Sequence, residues 1–250
     1  MDKVIAILQA RMQSKRLPGK IMVDLCGKPL IVHIIDRLKA TKGLDRIVLA
    51  TPENEAAYLE PLARDNAVQL VAGNSRDVLG RFYKAALRFP APFVVRVTGD
   101  NPLIDPLMLS RCIKECKSGH WDMVGTRDMP LGTGAEVFPA SLLDYMTLFG
   151  RLSYHREHVT SYLYEHEADF RVRRLTPPRN RQAPLYRLTV DTPEDLTLMG
   201  IIYKNLYEPG RIIDLGEAIR FLKDNPDFAG LNSHVVQRSW RSEKLSTAVA

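Results

Sequence analysis

Val4-Ile5-Ala6-Ile7-Leu8-Gln9-Ala10-Arg11-Met12-Gln13-Ser14-Lys15-Arg16-Leu17-Pro18-Gly19-Lys20 passes from an unbroken apolar run straight into a cationic loop. The five apolar residues at 4–8 read as a buried first strand. Arg11, Lys15, Arg16 and Lys20 then crowd one loop that turns at Pro18-Gly19. Like charges so close repel one another unless an anion is bound among them. The carboxyl end of a first strand is also where an open α/β sheet receives phosphate groups, so position and charge together point to a polyphosphate. The P-loop pattern G-x-x-x-x-G-K-[ST] is absent, and another device must hold a triphosphate here.

Working outward, strand-like and helix-like segments alternate. Leu30, Ile31, Ile34, Ile35 and Leu38 share one face of a helix over 30–40, and Arg46-Ile47-Val48-Leu49-Ala50 is a second buried strand. Helices over 55–66 and 78–89 bracket a short strand at 68–71, and 93–97 is the next strand. Short connections between such units predict an α/β protein with a mainly parallel sheet and helices on both faces. The second half is less regular. Strands are expected at 123–125, 135–138, 170–175 and 188–190, helices at 141–149 and 157–166, and an exposed loop at 176–184. Asp191-Thr192-Pro193-Glu194-Asp195 starts a helix: Thr192 caps, Pro193 sits in the first turn, and two acids favour the positive dipole end. The expected organisation is one domain over 1–232, with an insertion at about 125–175 and a polar tail over 233–250.

The composition bounds the class. In 250 residues, 45% are hydrophobic and 26% charged, as in an ordinary globular chain that can bury a large core. No run approaches the roughly 18 apolar residues of a membrane span. Met1-Asp2-Lys3 before a five-residue strand is not a signal peptide. Three cysteines without zinc-type pairs suit a reducing cytoplasm, and Cys112 and Cys116 read as packed thiols. The net charge of +6 suits a nucleotide enzyme as well as a nucleic-acid binder. Aromatic residues are not interleaved with the arginines as single-strand readers require, which argues against nucleic acid.

Thr98-Gly99-Asp100-Asn101-Pro102-Leu103-Ile104-Asp105 is the second chemical feature. Asp100 falls just past a buried strand, at the same sheet edge as the cationic loop. A carboxylate there either caps the turn before Pro102 or holds a divalent cation against phosphate oxygens. Asp191, also just past an expected strand, is a second such acid and favours the metal. Asp105 reads as the cap of the helix that follows Pro106. Two acids facing a cationic loop suit phosphoryl or nucleotidyl transfer.

Gln9-Ala10-Arg11, Arg16-Leu17-Pro18-Gly19-Lys20, Gly27-Lys28-Pro29-Leu30, the Gly99-to-Asp105 motif and Val190-Asp191-Thr192-Pro193-Glu194-Asp195-Leu196 occur in an order that resembles one family. It is the cytidylyltransferase family of the acylneuraminate and 3-deoxy-manno-octulosonate enzymes, and within it the spore coat polysaccharide biosynthesis branch. The likeness runs from Val4 to about Leu222. It implies a nucleotidyltransferase fold (Rossmann-like, GT-A-like) that binds CTP and Mg2+, with an acidic-sugar oxygen attacking the α-phosphorus and pyrophosphate leaving. By resemblance Arg11 and Lys20 bind the triphosphate, with Arg16 beside them, and Asp100 and Asp191 bind the metal. Leu8 and Ala10 line the nucleobase pocket through their backbone. Asn74 and Ser75 match a base- or ribose-proximal turn, which an N-capped turn explains equally well. No general base stands out for the attacking hydroxyl.

In Tyr154-His155-Arg156-Glu157-His158-Val159-Thr160-Ser161-Tyr162-Leu163-Tyr164, two histidines three apart share a helix face, but H-E-x-x-H is missing. The segment reads either as a plain helix start or, by resemblance, as the family's His-x-x-x-Tyr-x-Tyr beside the acceptor. The second reading assigns His158 and Tyr162 to the acceptor, adds Arg156 for an anionic group, and puts Glu136 in reach of sugar hydroxyls. Residues 127–138 depart from the octulosonate enzymes, so a nonulosonic acid, another acidic sugar, a phosphonate and a polyol phosphate all stay open as acceptor. Arginines at 171, 173, 174, 179, 181 and 187 are expected mostly as surface charges or dimer contacts, some on the acceptor. A homodimer through the 125–175 arm follows from the resemblance. Two other classes remain: a GT-A-like glycosyltransferase, which lacks its usual Asp-x-Asp here, and a non-catalytic nucleotide- or RNA-binding module.

Overall fold

The computed structural model describes residues 3–14 and 16–237; Lys15 of the cationic loop and most of the expected tail lie outside the described residues. In chain order the elements are β1 (Val4–Gln9), α1 (Leu30–Lys39), β2 (Arg46–Pro52), α2 (Ala56–Asp65), β3 (Gln69–Gly73), α3 (Val78–Arg88), β4 (Phe93–Thr98), α4 (Pro106–Cys116), β5 (Met123–Thr126) and β6 (Glu136–Pro139). There follow α5 (Ser141–Phe149), α6 (Ser153–Glu157), α7 (Ser161–Glu165), β7 (Val172–Leu175), α8 (Pro193–Leu206), α9 (Leu215–Asp224) and α10 (Pro226–Gly230).

The strands form one seven-stranded sheet in the order β3-β2-β1-β4-β6-β5-β7. Every pairing is parallel except those of β6, which runs against both its neighbours. The α/β architecture with a mainly parallel sheet is therefore as the sequence predicts. Alternation along β1 divides the core in two. Val4, Ala6 and Leu8 face one layer, with Leu30, Ile34 and Leu38 of α1 and Met199 and Ile202 of α8. Ile5 and Ile7 face the other, with Phe82 of α3, Met146 of α5 and Leu163 of α7. Burying each such side chain contributes about 1.5–3 kcal/mol, which is why a short apolar run suffices to fix a central strand.

After β1 the chain builds leftward through β2 and β3, then crosses back to place β4 on the other side of β1. The strand order thus reverses between β1 and β4, and the crevice at their carboxyl ends is the binding position of open α/β sheets. Gly99 allows the two strand ends to stay together, since its N–H donates to the Gln9 carbonyl at 2.8 Å. A Cβ on Gly99 would stand 2.9 Å from that oxygen and 3.1 Å from the Ala10 Cβ.

Two expectations fail locally. The helix expected over 157–166 is broken into α6 and α7, with His158 (φ −107°, ψ 54°) between them. Val159 and Thr160 are β-branched and weak helix formers; Val159 is buried, and Thr160 Oγ1 donates to Glu136 at 2.8 Å. The strand expected at 188–190 does not pair as a ladder. Leu188 N–H donates to Leu131 and Val190 N–H to Asp100, each in a loop, leaving one isolated bridge, Leu131 to Arg187. The 125–175 segment supplies β6 and β7 to the sheet and packs α5 and α6 against α3. Cys112 and Cys116 are packed thiols: both are buried, and burial pushes each up to about 12. Among the described residues no helix is long and apolar enough to cross a membrane.

Candidate active site

The cationic loop is anchored from below by an acid. Glu55, buried at the start of α2, accepts from Met12 N–H at 2.6 Å and Gln13 N–H at 3.1 Å. The loop then turns back on itself, with Gly19 N–H on the Met12 carbonyl at 2.8 Å and Gly19 in the left-handed region at φ 71°. That turn sends Lys20 inward. Its Nζ donates to Asp191 Oδ1 at 2.8 Å, to Asp100 Oδ2 at 3.0 Å and to the Val190 carbonyl at 2.8 Å. Three loops remote in sequence, after β1, after β4 and before α8, therefore meet on one ammonium.

Each acid is held further. Thr98 Oγ1 donates to Asp100 Oδ1 at 2.6 Å and accepts from Asn101 Nδ2 at 2.7 Å. Asp191 Oδ2 receives Arg16 and Arg187, each at 3.1 Å. Burial pushes the Asp191 carboxyl up, but Lys20, Arg16 and Arg187 together outweigh it and hold the group below the usual carboxylate range. Asp105 occupies the α4 N-cap position but makes no side-chain capping bond; its carboxylate is engaged by Arg181 at 3.0 Å instead.

Among the described residues no three His, Cys, Asp or Glu side chains cluster as metal ligands. Asp100 and Asp191 nonetheless share one cation position, both within 3.0 Å of the Lys20 nitrogen. Two hard oxygen donors converging on one positive centre are the protein's usual share of a Mg2+ shell that phosphate and water complete. The residues fit that ion.

On one side of this rim lies the turn before α3. Asn74 Oδ1 accepts from Arg76 N–H at 2.8 Å, and Asp77 caps α3 through Gly80 N–H at 2.8 Å. Buried Arg81 binds the carbonyls of Asn74 at 2.5 Å and Ser75 at 3.2 Å. Helix α6 reaches across to both loops, through Glu157 to Arg11 at 3.2 Å and through Arg156 to Asp77 at 3.1 Å. Arg156 is thus placed against the turn of Asn74 and Ser75. Leu8 and Ala10 are buried, Leu8 with its side chain in the core.

On the other side, beside Asn101, lies a cavity of about 360 Å³ lined by Arg96, Thr98, Arg127, Leu131, Glu136 and Tyr164 among others. Glu136 accepts from Arg96 at 3.0 Å, Thr160 at 2.8 Å and Tyr164 at 2.6 Å. Burial pushes the Glu136 carboxyl up, but Arg96 and the two hydroxyls reverse this and hold it low. Tyr162 belongs elsewhere, stacked on His166 at 4.2 Å and edge-on to Tyr145. His158, half-buried, is the first residue past α6. The structure therefore gathers Arg16, Lys20, Asp100 and Asp191 at one point, sets Arg11, Asn74, Ser75 and Arg156 to one side, and leaves Glu136 on the other.

Sequence reasoning missed Glu55 and Arg81, and gave no site role to Thr98, Tyr164 and Asp195, which it met only inside motifs. The Thr192-x-x-Asp195 spacing is a capping-box signal that could have found the last. It also expected surface arginines where two are interior: Arg181 pairs with Asp105 and Asp214, and Arg187 with Asp191 and Asp195. The acids of Arg181 lie 76 and 33 residues away, whereas those of Arg187 lie four and eight residues further on.

The profile of the family described as cytidylyltransferase matches residues 5–223. The spore coat polysaccharide biosynthesis protein SpsF of Bacillus subtilis is 34% identical over 235 residues, which is 92% of this chain and 98% of that protein. A solved cytidylyltransferase from Leptospira borgpetersenii serovar Hardjo-bovis superposes with a TM-score of 0.85 at 28% identity, over 96% of this chain and 100% of that one. CMP:2-keto-3-deoxy-manno-octonic acid synthetase, solved in complex with CTP, shares the fold at a TM-score of 0.64 and 16% identity, over 82% of this chain and 100% of that one. With two acids and a lysine meeting at the switch point of such a sheet, and a family profile spanning nearly the whole chain, the protein belongs to the cytidylyltransferase family.

Proposed function

We propose that the protein transfers CMP from CTP to an acidic sugar or related acceptor and releases pyrophosphate, in surface polysaccharide or glycoconjugate biosynthesis. The observation that carries this reading is the meeting of Lys20, Asp100 and Asp191 within 3.0 Å at the carboxyl ends of β1 and β4. The relatives' names support the cytidylyl group and the pathway class. The 360 Å³ cavity beside Asn101 supports an acceptor delivered from that side. The attacking oxygen of the acceptor forms a bond to the α-phosphorus, the bond to the β-phosphate oxygen breaks, and pyrophosphate leaves with its electron pair.

Arg11, Arg16 and Lys20 offset the charge of the triphosphate and stabilise the charge that grows on the leaving group. Asp100 and Asp191 would hold Mg2+, which when bound shields the phosphate oxygens. Thr98 and Asn101 keep Asp100 oriented. The protein's own task is orientation and electrostatics, since this transfer asks little covalent chemistry of it. Exposed Leu148, Phe149 and Leu152 in the 125–175 segment support a homodimer through that face; light scattering at the monomer mass would remove it.

The test is pyrophosphate release with CTP, ATP, GTP and UTP across a panel of acidic sugars, phosphonates and polyol phosphates. CTP should be preferred, with at least one acidic acceptor turned over. Consumption of a sugar nucleotide without pyrophosphate would replace the reading with glycosyl transfer.

A further inference from the structure

Arg187 lies outside every motif, yet it is buried behind the site and serves three groups at once. Its Nε and Nη2 form a fork on the Asp195 carboxylate, at 2.8 and 3.0 Å. The same Nη2 reaches Asp191 Oδ2 at 3.1 Å, and Nη1 donates to Gln237 Oε1. Asp195 completes the hold on Asp191 from the backbone side: its Oδ2 accepts from Asp191 N–H at 2.9 Å and Thr192 N–H at 3.1 Å. Asn232, from the segment after α10, bonds both members, reaching Asp195 Oδ1 at 2.8 Å and the Arg187 carbonyl at 2.9 Å.

Besides Lys20 and Arg16 of the cationic loop, Asp191 is thus gripped twice more, at its main-chain nitrogen by Asp195 and at its carboxylate by Arg187. The second grip is the informative one. A helix start needs only the Thr192–Asp195 capping box, which needs no arginine. Together with Arg16, the Arg187 contact sets which way Asp191 Oδ2 points and leaves Oδ1 turned to Lys20. Without Arg187, buried Asp195 would lose its cation and Asp191 would keep only Lys20 and Arg16. We infer that Arg187 is a positioning residue for Asp191, locked in turn by Asn232 and Gln237, so that the segment after α10 helps set the geometry of the acid proposed to bind the metal. The inference rests on the cytidylyl-transfer reading and deepens it.

The experiment compares wild type, Arg187→Met, Arg187→Lys and Asn232→Ala by two measurements: Mn2+ titration followed by EPR in the presence of CTP, and the melting temperature. Groups that orient a ligating carboxylate typically change metal affinity by roughly 10- to 100-fold when removed. Arg187→Met should weaken CTP-dependent Mn2+ binding within that range. Arg187→Lys should recover part of it, since a point charge can meet Asp191 or Asp195 but not fork one while reaching the other. Asn232→Ala, the mildest change, should weaken binding by a few fold and guards against a misfolded Arg187→Met. A fall in melting temperature with unchanged Mn2+ affinity in all three would make Arg187 a structural strut and overturn the inference alone. Absence of CTP-dependent Mn2+ binding in the wild type would remove the cytidylyl reading and the inference with it.

Discussion

Lys20 spends its three ammonium hydrogens on two carboxylates and a carbonyl. It can reach a triphosphate only by exchanging one of these partners, so under the proposed function it would both assemble the rim and contact the nucleotide. Lys20→Ala is therefore expected to lose more than one phosphate contact, and one charge-assisted bond is worth about 1.5–3 kcal/mol. The predicted outcome is a fall in kcat/KM of at least tenfold in the pyrophosphate assay, with the fold retained by circular dichroism. Glu136 yields a pH prediction. Its carboxyl is held low in the folded protein, so its contribution to stability is present above the unfolded value of about 4.3 and is lost as pH falls through the lower folded value. Glu136→Gln leaves half-buried Arg96 without its counter-charge and should cost about 1–3 kcal/mol at pH 7 in urea unfolding. That gap should narrow as the pH drops below about 4. Asp100 and Asp191 were legible in the sequence because each closely follows a strand-like run, and Lys20 because it closes the cationic loop after the first one. Glu55 was not, because the amides it binds lie 43 and 42 residues away and an acid at a helix start already has a local explanation.

At the scale of elements, β1 through β4 and their helices read cleanly because each strand is an apolar run and each helix carries one apolar stripe. The break between α6 and α7 did not, since it depends on Thr160 meeting Glu136 across the sheet edge. Nor did the failure of 188–190 to join the sheet, because its partners are loops whose positions only tertiary packing sets. The junction of β1 and β4 tests this description. Gly99→Ala would force a methyl to 2.9 Å from the Gln9 carbonyl and 3.1 Å from the Ala10 Cβ, parting the two strand ends that carry Arg11 and Asp100. The expected result is a loss of about 1–3 kcal/mol of stability together with a larger loss of turnover. Wild-type melting and kinetics for Gly99→Ala would mean that this close approach does not govern the site.

Across the whole molecule, the sheet puts its reversal point, its cationic loop and its two acids in one crevice, with a turn-and-helix wall on one side and a cavity on the other. Charge is matched locally: Arg16, Lys20 and Arg187 stand against Asp100, Asp191 and Asp195. A triphosphate entering with its cation meets a site whose positive and negative groups are already ordered, which is how preorganised electrostatics lowers a barrier. The acceptor stayed illegible in the sequence because the cavity proposed for it is lined from several separate segments, of which only Glu136 and the motif ending at Tyr164 carried a signal. The most direct test of the central claim is pyrophosphate release from CTP by wild type, Asp100→Asn and Asp191→Asn at saturating Mg2+, with melting temperature measured alongside. The account predicts loss of at least a hundredfold in both variants while each remains folded, as removal of one preorganised charged group commonly costs about 10²–10³ in rate. Retention of wild-type rates by both variants would contradict it.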